Sequence, residues 1–287
     1  MPLVPTGDLV MRAKAAGRGI GAFNAICIEH AEAIATGAEE AGLAAVIQVS
    51  ENAVRFHGGR LGAIAAACSA VARSSSAELA LHLDHVEDGD LLRQATEHSF
   101  GSVMVDASRL PFQANVAATQ DAVAWAHARD LWVEAELGEV GGKDGAHAPG
   151  ARTDPAEAGR FVAATGVDAL AVAVGSSHAM TARTAVLDVE LIRLLDDAVP
   201  VPLVLHGSSG VPDAALKEAV GAGIVKVNIG TSLNVAFTTA VRQHLSAEPE
   251  VVDPRRYLAP ARKAMAAVVT ASLLTLSSAS LRRSAAH

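Results

Sequence analysis

Two hydrophobic periods take turns along the chain. Short, nearly continuous apolar runs rich in Val, Leu, Ile and Ala recur between longer alanine-rich stretches with helical spacing. The runs predict strands at Ile20–Asn24, Ala45–Val49, Leu79–Leu83, Ser102–Asp106, Trp132–Leu137, Ala169–Val174, Leu203–Leu205 and Ile224–Asn228. The stretches between them predict helices over His30–Ala41, Gly59–Ser74, Asp90–Ser99, Phe112–Arg129, Pro155–Thr165, Asp188–Asp196, Pro212–Gly221 and Ser232–Leu245. Asp154 before Pro155 is a helix start, an N-cap followed by proline at the first helical position. Strands apolar on both faces belong to a parallel sheet covered by helices. Eight such units predict an α/β fold, a (β/α)8 TIM barrel over residues 18–247. A doubly wound open sheet is the alternative, but the glycine fingerprint GxGxxG is absent after the first strand. The segment DPRRYLAPARKAM, from Asp253, restarts a helix and predicts an additional C-terminal helix over 253–281. No linker rich in Gly, Ser or Pro interrupts the pattern, so one domain over 1–287 is expected.

Polar residues break the apolar runs mainly at their C-terminal ends, where barrel active sites are built. Asn24 ends the first run, Ser50 and Glu51 the second, Asp84 and His85 the third, Asp106 and Ser108 the fourth. Ser176, Ser177 and His178 follow the sixth, His206 the seventh, and Asn228 and Thr231 the eighth. His85, His178 and His206 occupy matching strand–loop junctions. Three imidazoles brought together that way can hold a zinc ion and leave its fourth position open. Asp84 sits beside the first, and Gly207-Ser208-Ser209-Gly210 after the third suits an anion. Metal, acid and anion loop together suggest chemistry on phosphorylated sugars. His82 lies inside a strand and reads as a packing or supporting residue. The other histidines, His30 among them, lack the strand-end setting and are expected to be solvated. Glu136 and the deeper Glu134 share a parity in a covered strand, where a carboxylate is rarely left unpaired. Lys226, within the eighth run, admits either a Schiff-base role or an ion pair. Three converging histidines favour the ion pair.

Composition narrows the function classes. A net charge of -8 argues against a nucleic-acid surface. Aromatics are only 3% of residues, so alanine and valine carry the packing. Two cysteines without a CxxC pairing suggest a reduced, cytoplasmic setting. The N-terminus has no apolar segment of the signal-peptide kind. Ala264–Leu281 is long and uncharged, but its Ala, Ser and Thr content predicts a buried or interface helix, not a membrane span.

From Gly21 to Leu258 the chain resembles the class II, zinc-dependent ketose-bisphosphate aldolases, the fructose- and tagatose-bisphosphate group. The motifs are HLDH (His82–His85), SVMVDAS (Ser102–Ser108), VEAELGEVGG (Val133–Gly142), TGVDALAVAVGSSH (Thr165–His178), LVLHGSSGV (Leu203–Val211) and KVNIGTS (Lys226–Ser232). The resemblance implies a zinc aldolase that cleaves a ketose 1-phosphate or 1,6-bisphosphate to dihydroxyacetone phosphate and an aldehyde. It implies His85, His178 and His206 as zinc ligands, Asp106 and Glu136 as partners of a displaced zinc position, and Asp84 as the acid/base at the C4 oxygen. Asn24, Ser50, Ala179, Gly207, Ser208 and Ser209, with the run Asn228, Ile229, Gly230, Thr231 and Ser232, are implied to bind substrate and its phosphate. Backbone carbonyls at Ser177, Ala179, Gly207 and Ser209 are implied to hold a monovalent cation, Na+ or K+. A homodimer or homotetramer is implied as well. The chain departs from the family pattern at four points, one of them Val86 after His85, where small or polar residues are common. Asp144 stands where the mobile loop usually carries Glu, Ala179 replaces a usual Gly, and Gly230 replaces a carboxylate or amide. Other classes that fit the same parts are a zinc-assisted sugar-phosphate isomerase or epimerase, and a non-catalytic sugar-phosphate-binding homologue.

Overall fold

Side-chain alternation along the strands decides what fills the centre of the molecule, and a computed structural model shows how. It describes residues 3–137, 152–177 and 180–278. Among these, eight parallel strands close into a barrel in sequence order: β1 (Ile20–Asn24), β2 (Ala45–Ser50), β3 (Leu79–Val86), β4 (Ser102–Val105), β5 (Trp132–Leu137), β6 (Ala169–Val172), β7 (Leu203–Leu205) and β8 (Ile224–Ile229). The surrounding helices are α1 (Thr6–Ala15), α2 (Ile28–Ala41), α3 (Glu51–Phe56), α4 (Leu61–Ser74), α5 (Gly89–Gln94), α6 (Phe112–His127), α7 (Pro155–Thr165), α8 (Val189–Ala198), α9 (Asp213–Ala222), α10 (Thr231–Ala247) and α11 (Pro254–Ser277). The expected (β/α)8 barrel with an additional C-terminal helix is the observed fold. Asp154 caps α7 as its sequence predicts, its carboxylate accepting the Glu157 N–H at 2.8 Å.

Each strand turns one parity outward and the other inward. Leu79, Leu81 and Leu83 of β3, Val133, Ala135 and Leu137 of β5, and Leu203 and Leu205 of β7 belong to the large core beneath the helices. The opposite parity builds the barrel interior in layers. At the N-terminal end Ile20, Ala22, Val46 and Ala80 form an apolar plug with Leu9 and Val10 of α1, against Trp132. Gly7 admits this helix: a Cβ there would lie 2.8 Å from the Trp132 ring. Above the plug the interior turns polar, with His82, Ser102, Glu134 and Lys226, all 0% exposed. Next come Gln48, Asp84, Glu136, His206 and Asn228, which lie buried beneath the C-terminal mouth.

Two helices lie outside the predicted pattern. α1 closes the bottom of the barrel, and α3 begins directly after β2, capped by the Ser50 hydroxyl, which accepts the Ala53 N–H at 3.2 Å. α11 packs across α2 and α10. Among the described residues no helix is long and apolar enough to cross a membrane. One expectation is corrected: His30 is not solvated but 4% exposed. It stacks on Phe237 with ring centroids 5.7 Å apart and bonds Cys27 Sγ and Asn234 Oδ1. The α10 helix folds over it, a long-range contact that local sequence does not report.

Candidate active site

The strands deliver the predicted polar residues to one cavity of about 470 Å³ at the C-terminal mouth. Asn24, Ser50, Asp84, His85, Asp106, Ser177, Gly207, Ser208, Ser209, Asn228, Gly230 and Thr231 all line it. Asp144, His178 and Ala179 lie outside the described residues. The Ile229 side chain belongs to the outer core and does not line the cavity.

His85 reaches the cavity through an unusual backbone. The pairing of β3 with β4 shifts register between Leu83 and Val86, and His85 within that irregularity has φ 51°. The left-handed conformation costs an L-residue about 1–2 kcal/mol, and such bulges re-aim side chains at active sites. His206 follows the regular end of β7 and is fully buried.

The two imidazoles face each other. His206 Nδ1 lies 3.2 Å from His85 Nε2, with the rings edge-on at 89° and centroids 4.8 Å apart. Each ring has a carboxylate at its far nitrogen: Asp106 Oδ2 is 2.8 Å from His85 Nδ1, and Glu134 Oε1 is 2.8 Å from His206 Nε2. An ionised carboxylate needs a donor, so each far nitrogen carries the ring proton and each near nitrogen offers a lone pair. Two lone pairs at that separation repel one another. A divalent cation ligated by both removes the conflict, and the carboxylate–histidine pairs behind them are the usual support of such ligands. Asp84 offers an oxygen to the same space, and its ligand atom and those of His85 and His206 lie within 4.8 Å of one another. His85, Asp106 and Glu136 form a second, overlapping group of the same size. The donor set therefore fits a divalent metal.

Asp84 is 1% exposed. Gln48 Nε2 donates to its Oδ2 at 3.2 Å, Asn228 Nδ2 lies 3.5 Å from Oδ1, and His82 Nε2 lies 3.6 Å from the same oxygen. Burial alone would raise its pKa. His85, the His82 contact and His206 outweigh burial and hold the carboxyl well below its ordinary value. Burial and the nearby Lys226 push the His82 pKa down. Asp84 is thus kept ionised, and its place beside the metal-competent pair puts a proton acceptor within the site.

The other side of the mouth suits an anion. Gly207 has φ 65°, and a Cβ there would sit 2.5 Å from the Ser177 carbonyl carbon, so the turn after His206 admits only glycine. It sends Ser208 back to donate to the Asn228 carbonyl at 2.5 Å. Ser209 Oγ accepts the Ser232 N–H at 3.2 Å, and α10 starts at Thr231 with no cap from its own N-cap residue, Gly230. Backbone N–H groups at the N-terminus of this long helix favour negative charge.

Several cavity residues escape sequence reasoning. Gln48 has the inward parity within AVIQVS, and that alternation is the signal that finds it. Glu51, already marked by its place at the end of the second run, turns back to accept the Glu87 and Asp88 N–H groups at 2.7 and 3.1 Å and pairs with Arg55. Arg55 and Arg109 also line the mouth. They lie on α3 and in the loop after β4, where no periodicity marks them.

A parallel barrel whose mouth gathers imidazoles, carboxylates and an anion cradle defines a metal-dependent barrel enzyme. Comparison with known proteins narrows the class. Residues 4–280 match the family model described as fructose-bisphosphate aldolase class-II. The chain is 38% identical over 268 residues to a Bacillus subtilis (strain 168) protein named "Probable fructose-bisphosphate aldolase", covering 92% of this chain and 94% of that one. Among solved structures it is similar to the YdjI aldolase from Escherichia coli K12, with a TM-score of 0.84 and 30% identity over 97% of this chain and 98% of that one. The fructose-bisphosphate aldolase (Fba) of Campylobacter jejuni shares the fold at 21% identity, with a TM-score of 0.80 over 96% of this chain and 95% of that one. The chain belongs to the class II fructose-bisphosphate aldolase family. It is an aldolase, a metal-dependent lyase.

Proposed function

We propose that this enzyme is a zinc aldolase. It reversibly cleaves a ketose 1-phosphate or 1,6-bisphosphate of the fructose or tagatose type into dihydroxyacetone phosphate and an aldehyde such as glyceraldehyde 3-phosphate. The observation that carries the reading is the approach of His206 Nδ1 to His85 Nε2, 3.2 Å apart, beside a buried Asp84 carboxylate. His85, His206 and His178 hold the ion, and Asp106 and Glu136 offer it a second position. When bound, zinc supplies a Lewis acid for the negative charge that C3–C4 cleavage leaves on the three-carbon fragment. Asp84 takes the proton of the C4 hydroxyl as the bond breaks and returns it in condensation. Gly207, Ser208, Ser209 and the α10 N-terminus from Asn228 to Ser232 bind the phosphate, with Asn24, Ser50 and Ala179 on the sugar. Asp144 exchanges the proton at C3 of the three-carbon unit. Backbone carbonyls near Ser177 and Gly207 take a monovalent cation. The enzyme works as a homodimer or homotetramer in the cytoplasm.

The test is a panel of ketose 1-phosphates and bisphosphates assayed for dihydroxyacetone phosphate. Release is expected to stop with EDTA, return with zinc and ignore borohydride, and Asp84→Ala is expected to abolish it with zinc still bound. Turnover that survives metal removal, or ketose interconversion without triose release, contradicts the reading.

A further inference from the structure

The interior of the barrel holds a lysine that touches neither the cavity nor solvent. Lys226 is 0% exposed, midway along β8. Its ammonium makes two bonds, to Glu134 Oε2 at 2.8 Å and to Asn228 Oδ1 at 2.7 Å. Each acceptor then turns its other end toward the site. Glu134 places Oε1 2.8 Å from His206 Nε2. Asn228 places Nδ2 3.5 Å from Asp84 Oδ1.

An ammonium can only donate, so it decides both orientations. The amide of Asn228 must turn its oxygen to the lysine, which leaves its NH₂ between His206 Nε2, 3.0 Å away, and Asp84 Oδ1; with Nε2 protonated toward Glu134, Asp84 is the acceptor left to it. Glu134 must stay ionised and must divide its oxygens between Lys226 and His206, which keeps the His206 proton on Nε2 and the Nδ1 lone pair toward His85. A neutral residue at this position would leave Glu134 as an uncompensated buried charge and let the amide turn over.

We propose that Lys226 is the positioning residue that ties the metal-holding side of the site to its proton-transfer side. Through Glu134 it sets the ligand tautomer of His206, and through Asn228 it sets the donor facing Asp84. The inference rests on the zinc-aldolase reading and assigns the lysine no covalent role.

The test uses the whole chain, with metal affinity read by chelator competition and the ligand field read from the visible spectrum after cobalt substitution. Lys226→Met is expected to weaken zinc by about 10–100-fold, the usual effect of removing a support behind a ligand, to shift the cobalt spectrum, and to lower kcat more than it raises KM. In a Glu134→Gln background the same substitution is expected to add less than about twofold to the loss of metal affinity, because the path to His206 is already cut. Lys226→Gln, which keeps a donor without the charge, carries the same measurements if Lys226→Met does not fold. Lys226→Arg is expected to restore zinc affinity to within about threefold of wild type, since it keeps the charge on Glu134. An unchanged cobalt spectrum and zinc affinity in Lys226→Met, with the wild type binding metal normally, overturns the proposal alone. Independent, multiplying losses for Lys226→Met and Glu134→Gln overturn it too. A wild type that binds no metal overturns the zinc-aldolase reading beneath it.

Discussion

The two histidines that meet at the mouth are mounted in opposite ways. His206 stands at the regular end of β7, 0% exposed, with Glu134 and Lys226 stacked behind it in the barrel interior. His85 sits at an irregular point of β3 with a left-handed backbone, 19% exposed at its side chain, and leans on Asp106, whose side chain is 2% exposed. One mount uses buried charge, the other backbone conformation and a carboxylate that Ser108 also bonds, its hydroxyl donating to Asp106 Oδ1 at 2.6 Å. The difference shows that one ligand geometry can be assembled from unlike parts. It also separates what each mount costs the fold.

The buried mount carries the larger stake in stability. Glu134→Ala leaves Lys226 without its carboxylate and is expected to destabilise the metal-free protein by about 3–5 kcal/mol, the usual cost of breaking a buried pair. Asp106→Ala, which strands no buried lysine, is expected to cost at least about 2 kcal/mol less, with both values read from urea unfolding. Acid sharpens the contrast. Burial would raise the Glu134 carboxyl, but Lys226 and His206 hold its pKa at about 2, below the ordinary 4.5. A depressed folded pKa contributes stability that is present above the unfolded value and lost as pH falls through the folded one. Metal-free wild type is therefore expected to weaken between about pH 4.5 and pH 2, and Glu134→Gln to flatten that part of the dependence. Equal costs for the two alanine variants break the comparison.

The strained mount predicts a smaller effect of opposite sign. Glycine adopts a left-handed backbone at no steric cost, so His85→Gly is expected to be more stable than His85→Ala by about 1 kcal/mol. At His206, where the backbone is not left-handed, the alanine variant is expected to be the more stable. Thermal unfolding of the four metal-free variants reads the sign directly. The same order at both positions removes backbone conformation from the account of His85.

Much of this was legible in the sequence because it is written in parity. Alternation gives Glu134 and Glu136 one parity and puts Lys226 on the same side as Asn228, and polar residues at the strand ends mark the mouth. What escaped depends on contacts between distant elements. The backbone of His85 follows from how β3 pairs with β4. His30 is buried by α10 from the far end of the chain. The choice of Lys226 as the partner of Glu134 depends on which strands face each other across the closed barrel. Arg55 and Arg109 sit in segments without period, so nothing in their local pattern announces the cavity. Helix α1 escaped for a similar reason: its apolar stripe is short, and its purpose appears only once the barrel needs a floor.

The central claim is that the near nitrogens of His85 and His206 share one ion. Zinc stoichiometry and affinity, measured by chelator competition on wild type, His85→Ala and His206→Ala, test it most directly. One tightly held ion per chain, with affinity reduced at least about 10-fold by either substitution, is the predicted result. Zinc binding left intact by the loss of either imidazole would contradict the account.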